Sequence, residues 1–275
     1  MNLIDEVIKP AAFRMRLKAL EMAYHAGANG AHLGGGLSCI EIFATLYKGI
    51  LKYKVDDPAW EERDRVLVSK AHCVLAYYTA LAEAGFLTEE SLDGFEQDGS
   101  DLPGHPLHNL QNGIEYSGGS LGMAFSVGLG MALDAKRKNR SNRVYVILGD
   151  GECDEGSNWE AFMSAAHYQL NNVTVIIDQN QLQYDGPTDS VMNLTSLKDK
   201  ISAFGWDVNE VDGHSVSELY EVLNQPETDR PRAIIAKTIK GKGVSFMEGV
   251  KEWHHGVLSE KLYKQAIEEV LQCSK

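Results

Sequence analysis

The sequence predicts an α/β fold: a parallel sheet with helices on both faces. Two observations carry this. Short, uninterrupted apolar runs recur along the chain, and Val144-Tyr145-Val146-Ile147-Leu148 is the clearest of them. Such runs lack the polar alternation of a half-exposed strand and suit strands buried on both faces. Segments with apolar residues at helical spacing separate these runs, which is the pattern of β-α-β crossovers.

The elements follow in order. Residues 5–27 carry Val7, Ala11, Met15, Leu20 and Ala23 on a helical repeat, and a second helix follows Ser38 through Ile42 and Leu46. Residues 65–69 read as a short buried strand, and 71–84 as a helix that Gly85 closes. Residues 122–138 form a helix of small residues, 144–148 a strand, 155–170 a helix and 173–178 another strand. Strands at 206–211 and 233–237 flank a helix at 215–224, and a last helix covers 259–273. Residues 1–275 are expected to form a single domain with an N-terminal and a C-terminal helix. Three stretches resist assignment, 28–37, 97–121 and 241–257, all rich in Gly, His or polar residues. Long loops of this kind in a compact domain are usually functional.

Composition narrows the function. With 44% hydrophobic and 24% charged residues, the chain can build a core without disulfides. No long uncharged apolar run suggests a membrane span. Residues 1–16 mix acids and bases and lack the apolar block of a secretory signal, so a cytoplasmic location is expected. None of the four cysteines, Cys39, Cys73, Cys153 and Cys273, forms a C-x-x-C pair, so free buried thiols are expected rather than a zinc site. The formal charge of −13 disfavours nucleic acid. It also means that a phosphorylated ligand needs a metal between the like charges.

The chemistry gathers at two strand ends. The strand 144–148 runs into Gly149-Asp150-Gly151, and the next strand ends at Asp178-Gln179-Asn180. Parallel sheets bind ligands beyond the carboxyl ends of their strands, which sets Asp150 and Asn180 side by side as oxygen donors. A carboxylate, an amide oxygen and a backbone carbonyl suit a hard cation such as Mg²⁺ or Ca²⁺. The glycines permit close approach of a phosphate, and a helix from about Glu155 aims its positive end there. Glu152, Asp154 and Glu155 crowd the turn with negative charge, which a metal-bridged diphosphate tolerates and a bare one does not.

These residues carry a resemblance. Gly149-Asp150-Gly151-Glu152-Cys153-Asp154-Glu155-Gly156, Trp159-Glu160-Ala161, Ala165-Ala166-His167 and Asp178-Gln179-Asn180 are similar to the thiamine-diphosphate motif of transketolases. The likeness extends from about Arg16 to Leu258 and covers the N-terminal half of a usual transketolase. It implies a diphosphate-side domain that binds thiamine diphosphate, with Mg²⁺ as the metal and Ca²⁺ or Mn²⁺ as alternatives. Asp150 and Asn180 would hold the metal by their side chains and Leu182 by its carbonyl. Gly149, Gly151 and Asn180 would line the diphosphate.

The loops extend the resemblance. His32 in Gly30-Ala31-His32-Leu33-Gly34 matches a Ser-Gly-His-Pro-Gly pattern, with Leu33 in place of proline. Lys70-Ala71-His72 resembles a Ser-Lys-Gly-His segment, and Gly104-His105-Pro106 one that meets the donor sugar. Lys240-Gly241-Lys242-Gly243 and Trp253-His254-His255-Gly256 resemble the loop in which a lysine and a histidine reach the diphosphate and the sugar. Lys240 and His255 align with these, with His254 as the alternative. Gly118-Gly119-Ser120-Leu121-Gly122 resembles the loop whose backbone meets the aminopyrimidine, through Gly119 and Leu121, although Met123-Ala124 replaces the usual Gln-Gly. The resemblance thus implies His32, His105 and His255 as catalytic, with Lys70, His72, Glu155, Lys240 and His255 at the cofactor. His25, His108, His167 and His214 are read as structural or surface residues.

The part of a transketolase that contacts the aminopyrimidine with a glutamate and holds the sugar phosphate has no counterpart here. The expectation is an α2β2 assembly with a C-terminal subunit carrying the pyrimidine-side and C-terminal domains, with Glu155 facing it. Sugar phosphates are the expected substrates and ketol transfer the expected reaction. The alternatives are a transketolase for an unusual sugar, a deoxyxylulose-phosphate synthase fragment and a 2-oxo acid dehydrogenase subunit. Outside this class stands a scaffold that kept the fold and lost the chemistry.

Overall fold

The computed structural model describes residues 2–273. Its centre is a five-stranded, all-parallel sheet of β1 (Arg65–Val68), β2 (Val144–Gly149), β3 (Val173–Gln179), β4 (Asp207–Asp212) and β5 (Arg232–Lys237), in the order β1-β2-β3-β5-β4. All five strands expected from the sequence are present. The helices are α1 (Lys9–His25), α2 (Leu33–Leu37), α3 (Ile40–Thr45), α4 (Val74–Ala84), α5 (Glu89–Asp93), α6 (Ala124–Arg137), α7 (Gly156–His167), α8 (Thr188–Val191), α9 (Leu197–Ala203), α10 (Val216–Leu223) and α11 (Glu260–Cys273).

Side chains alternate across a strand, and here both sets are apolar. Tyr145, Ile147, Ile176, Ile234 and Ala236 face one layer, built from α1, α3, α4, α10 and α11. Val144, Val146, Leu148, Val175, Ile177 and Ile235 face the other, where Phe125 of α6, Phe162 of α7 and Ile201 of α9 pack. Each Val, Leu, Ile or Phe side chain among them contributes roughly 1.5–3 kcal/mol when fully buried. The edge strand β4 is the exception to burial on both faces: most of its residues are partly or largely exposed, since only β5 pairs with it.

Several boundaries shift for local reasons. The N-terminal helix divides into a wide turn at Ile4–Ile8 and α1, with Pro10 in the first turn of α1, where its missing N–H costs nothing. Residues 71–73 form a tight 3-10 turn before α4, and Gly85 closes that helix at φ +93. The unassigned stretch 28–37 holds α2, a helix containing three consecutive glycines that nothing local favours. Cys39, Cys73 and Cys153 are free and buried, and the Cys273 side chain lies outside the described residues. No described helix is long and apolar enough to cross a membrane.

The register fixes the working edge. Gly149 lies opposite Asp178, and Asp178 opposite Ala236. The segments leaving β1, β2, β3 and β5 therefore emerge together, bringing His72, Asp150, Asn180 and Lys240 to one end of the sheet.

Candidate active site

Asp150 is almost fully buried at the end of β2. One carboxylate oxygen accepts the backbone N–H of Gly151 (2.9 Å) and the other that of Gln181 (2.6 Å). The second bond ties the β2 turn to the β3 turn, where Gln181 takes a left-handed φ of +62. Gly151 is pressed against the same turn: a Cβ there would stand 2.6 Å from Cγ of Gln183. Asn180 Oδ1 accepts from Leu182 N (3.1 Å). Burial and, next, the nearby Asp178 push the Asp150 carboxyl up to about 6. A cation at this spot would reverse that push. Among the described residues no three His, Cys, Asp or Glu side chains gather as a metal site. The donor set is instead one carboxylate, one amide oxygen and the Leu182 carbonyl, hard oxygens of the kind Mg²⁺ and Ca²⁺ take. These residues fit a divalent cation.

Beneath this turn lies a layer that motif reading does not resolve. Lys70 forms a buried ion pair with Asp178 and also donates to the carbonyl of Gly35 (3.2 Å) and to Ser38 Oγ (3.3 Å). Asp178 further accepts from Ser38 Oγ (2.6 Å), Asn180 Nδ2 (3.2 Å) and Thr238 Oγ1. Burial alone would raise Asp178, but Lys70, then Ser38 and Thr238, outweigh it and hold it down at about 2. The structure thus sets Lys70 under the ligand edge, with its charge committed to Asp178, not facing outward. Glu152 is a correction to the expected crowd of charges. It is buried, and its carboxylate accepts from Ser69 Oγ, Gly122 N (2.8 Å) and Gly149 N (3.1 Å). It pins the start of the α6 loop to the β2 turn. Asp154 accepts from Gln183 Nε2 (2.7 Å), and Glu155 is exposed.

The histidines converge. His32 is at the centre, with ring-centre distances of 4.6 Å to His255, 5.2 Å to His105, 5.6 Å to His254 and 5.8 Å to His72. His72 stacks on His254 at 4.9 Å. Three loops that the sequence leaves unassigned supply four of the five. Two backbone bonds between Ala31 and Gly256 (2.9 and 3.0 Å) zip the first loop to the third. Glycines make the approach possible. A Cβ on Gly30 would stand 2.9 Å from His255 Cε1, one on Gly35 2.8 Å from His72 Cδ2, and one on Gly34 2.8 Å from both Lys240 Cγ and the Trp253 carbonyl.

Burial, then neighbouring His255 and His105, lowers His32 to about 3, and burial and Lys240 lower His254 to about 4. His72 and His105 are lowered as well, in both cases chiefly by burial. These four imidazoles are therefore neutral near pH 7, each offering one N–H and one lone pair. Lys240 donates to the Leu182 carbonyl (2.9 Å) and to His254 Nδ1 (2.9 Å), so His254 carries its proton on Nε2. This ammonium links the oxygen-donor turn to the histidine cluster. Burial and the repulsion of Lys70 bring it down to about 8. Of the two adjacent histidines, His254 touches Lys240 and His72 while His255 touches His32.

Gly119 and Leu121 lie to one side. Gly118 packs against Ala71 and Pro106, which brings their loop beside His72 and His105, but Gly119 (φ +143) has open space where a Cβ would be. Met123 and Glu155 are exposed next to it.

Residues 11–270 match the family described as transketolase, thiamine diphosphate binding domain. The chain belongs to the transketolase family. This transketolase-family chain is 41% identical to a subunit of the apulose-4-phosphate transketolase of Phocaeicola vulgatus, over 96% of its own length and 94% of that protein. It is also 41% identical to a 6-deoxy-6-sulfo-D-fructose transketolase subunit of Clostridium sp., covering 87% and 88%. Human transketolase is 37% identical over 96% of this chain but only 42% of that protein. The crystal structure of Campylobacter jejuni transketolase superposes with a TM-score of 0.90 at 29% identity, covering 98% of this chain and 43% of that one. The fold is that of the N-terminal domain of transketolases, as the sequence predicted.

Proposed function

We propose that this chain is the cofactor-binding subunit of a two-chain transketolase that moves a two-carbon ketol unit between sugar phosphates. The observation that carries the reading is the convergence of five histidines beside an oxygen-donor turn, with Lys240 between them. Residues 1–275 act as one unit that binds thiamine diphosphate and a divalent cation, Mg²⁺ first. Thiamine diphosphate, when bound, supplies the electron sink that lets a C–C bond beside a carbonyl break. Asp150, Asn180 and the Leu182 carbonyl hold the cation, and Gly149 and Gly151 let the phosphates approach the backbone. Lys240 neutralises phosphate charge. His32, His105 and His255 hold the sugar hydroxyls and move protons at them, and His72 and His254 orient these rings. A scaffold without chemistry would have no use for neutral imidazoles drawn from four segments of chain.

The partner reading rests on the subunit relatives and on the open edge. Two relatives of similar length are named as subunits of transketolases, and Gly119, Met123 and Glu155 leave one side of the site uncovered. A C-terminal subunit in an α2β2 assembly supplies the aminopyrimidine side and the sugar-phosphate site. The names of those relatives also favour a more specialised substrate, of the kind of apulose 4-phosphate or 6-deoxy-6-sulfofructose. The test is ketol transfer with thiamine diphosphate and Mg²⁺, by this chain alone and mixed with a co-expressed C-terminal subunit. The donors are xylulose 5-phosphate, apulose 4-phosphate and 6-deoxy-6-sulfofructose. Activity confined to the mixture is expected, and transfer of none of these donors despite cofactor binding would overturn the substrate class.

A further inference from the structure

The segment Ile239–Lys242 carries Lys240 out of β5, and its neighbours reach back into the helical layer. His214 Nε2 takes the backbone N–H of Ile239 (2.8 Å). An amide N–H can only donate, so Nε2 is the acceptor and the ring proton sits on Nδ1. That proton is donated to Glu41 Oε2 (3.0 Å). The other oxygen of Glu41 pairs with Arg16, which also donates to the backbone carbonyls of Lys242 and of Leu37 (3.1 Å). Lys240 is therefore gripped one residue before and two residues after by groups that share one carboxylate.

We propose that Arg16, Glu41 and His214 form a clamp whose task is to position Lys240. The three side chains keep only 9, 14 and 13% of their exposure, so each would be costly to leave unpaired and none is a surface ornament. Glu41 stands on α3, Arg16 on α1 and His214 at the start of α10, three elements of the layer that packs against the sheet. The clamp thus couples the Lys240 loop to the rigid body of the domain. It also explains the close fit of the loop. A Cβ on Gly243 (φ +92) would stand 2.8 Å from Arg16 Cδ, so the glycine lets Arg16 pass to the Lys242 carbonyl. The other charged groups on this loop are already engaged: Glu248 accepts from Gly243 N (2.9 Å) and pairs with Lys242 (3.3 Å). The His214 backbone N–H is held by Asp212 (2.9 Å), which fixes the ring's point of departure. Sequence reading assigns His214 a structural or surface role; its geometry makes it a positioning residue for Lys240. Only the consequence for cofactor binding rests on the function proposed above.

The experiment separates the two. In His214→Ala, amide exchange at Ile239 should rise about tenfold, with exchange in β2 and β3 unchanged. Acylation of Lys240 by acetic anhydride, followed by mass spectrometry, should rise in step. His214→Gln should recover most of both, since its amide can accept from Ile239 and donate to Glu41. Glu41→Gln, which keeps volume and backbone, is the second variant if the alanine protein does not fold, and should loosen the same amide. Wild-type exchange at Ile239 in both His214→Ala and Glu41→Gln would overturn the clamp. Faster exchange with unaltered thiamine diphosphate affinity in the reconstituted pair would leave the clamp standing and remove Lys240 from the diphosphate.

Discussion

Lys70 and Asp178 form a buried ion pair directly under the turn that carries Asp150. The pair joins the segment after β1 to the end of β3, and Gly35, Ser38, Cys39, Asn180 and Thr238 supply further hydrogen bonds around it. Removing one partner strands a charge in the core. Lys70→Met should cost roughly 3–5 kcal/mol of stability by urea denaturation. The loss should exceed that for any of the surface pairs, such as Lys264–Glu260, whose side chains stay about two-thirds exposed.

Asp150 should respond to the metal in a pH-dependent way. Its folded value of about 6 lies above the ordinary 3.8. A raised carboxyl favours the fold below 3.8, and that contribution is lost as pH rises through 6. Mg²⁺ restores it by pairing with the ionised form. The melting temperature should therefore rise more on adding Mg²⁺ at pH 7.5 than at pH 5. Asp150→Ala should remove this difference and the metal-dependent binding of thiamine diphosphate while the protein stays folded.

The histidine cluster predicts acid sensitivity. His32 and His254 have folded values of about 3 and 4, below the ordinary 6.5, so the unfolded chain binds more protons between those limits. Stability is full above pH 6.5 and falls as pH drops toward 4. The slope from His32 approaches about 1.4 kcal/mol per pH unit, and that from the more exposed His254 is smaller because solvent screens it. Thermal melts from pH 7 to 4.5 read this out, and His32→Asn should flatten the curve.

His105 lies at the rim of the cluster, partly buried and 5.2 Å from His32. His105→Ala should lower kcat of the assembled enzyme by about 10²-fold or more. Thiamine diphosphate affinity, measured by isothermal titration, should change by less than about threefold, a shift under 1 kcal/mol. A loss of affinity equal to the loss of turnover would move His105 to the cofactor.

Gly34 tests how closely the loops fit. Its backbone needs no glycine conformation, but a methyl would meet Lys240 and the Trp253 carbonyl at 2.8 Å. Gly34→Ala should cost about 1–3 kcal/mol by overpacking, and it should weaken thiamine diphosphate binding by displacing Lys240. Gly130→Ala, where nothing lies within 4 Å of the new atom, is the control and should leave stability unchanged or slightly raised.

The sequence alone was enough for β1, β2, β3 and β5, because Val144–Leu148 and its counterparts are too apolar to lie anywhere but in a covered sheet; the polar edge strand β4 lacks that signal. The sequence also determined the oxygen-donor turn, because a strand ending in Gly149-Asp150-Gly151 beside one ending in Asp178-Gln179-Asn180 has few alternatives in a parallel sheet. Motif likeness found the histidines. The direction of the charged side chains at that edge was settled by tertiary contacts. Lys70 turns down, not up, because Asp178 waits 108 residues away in sequence. Glu152 turns inward because Ser69, Gly122 and Gly149 satisfy it there. His214 becomes part of a clamp because Glu41 and Ile239 flank its ring, 173 and 25 residues away. A charge near a strand end can face ligand or core at similar local cost. The partner that settles the choice comes from a distant segment, and no local pattern records it.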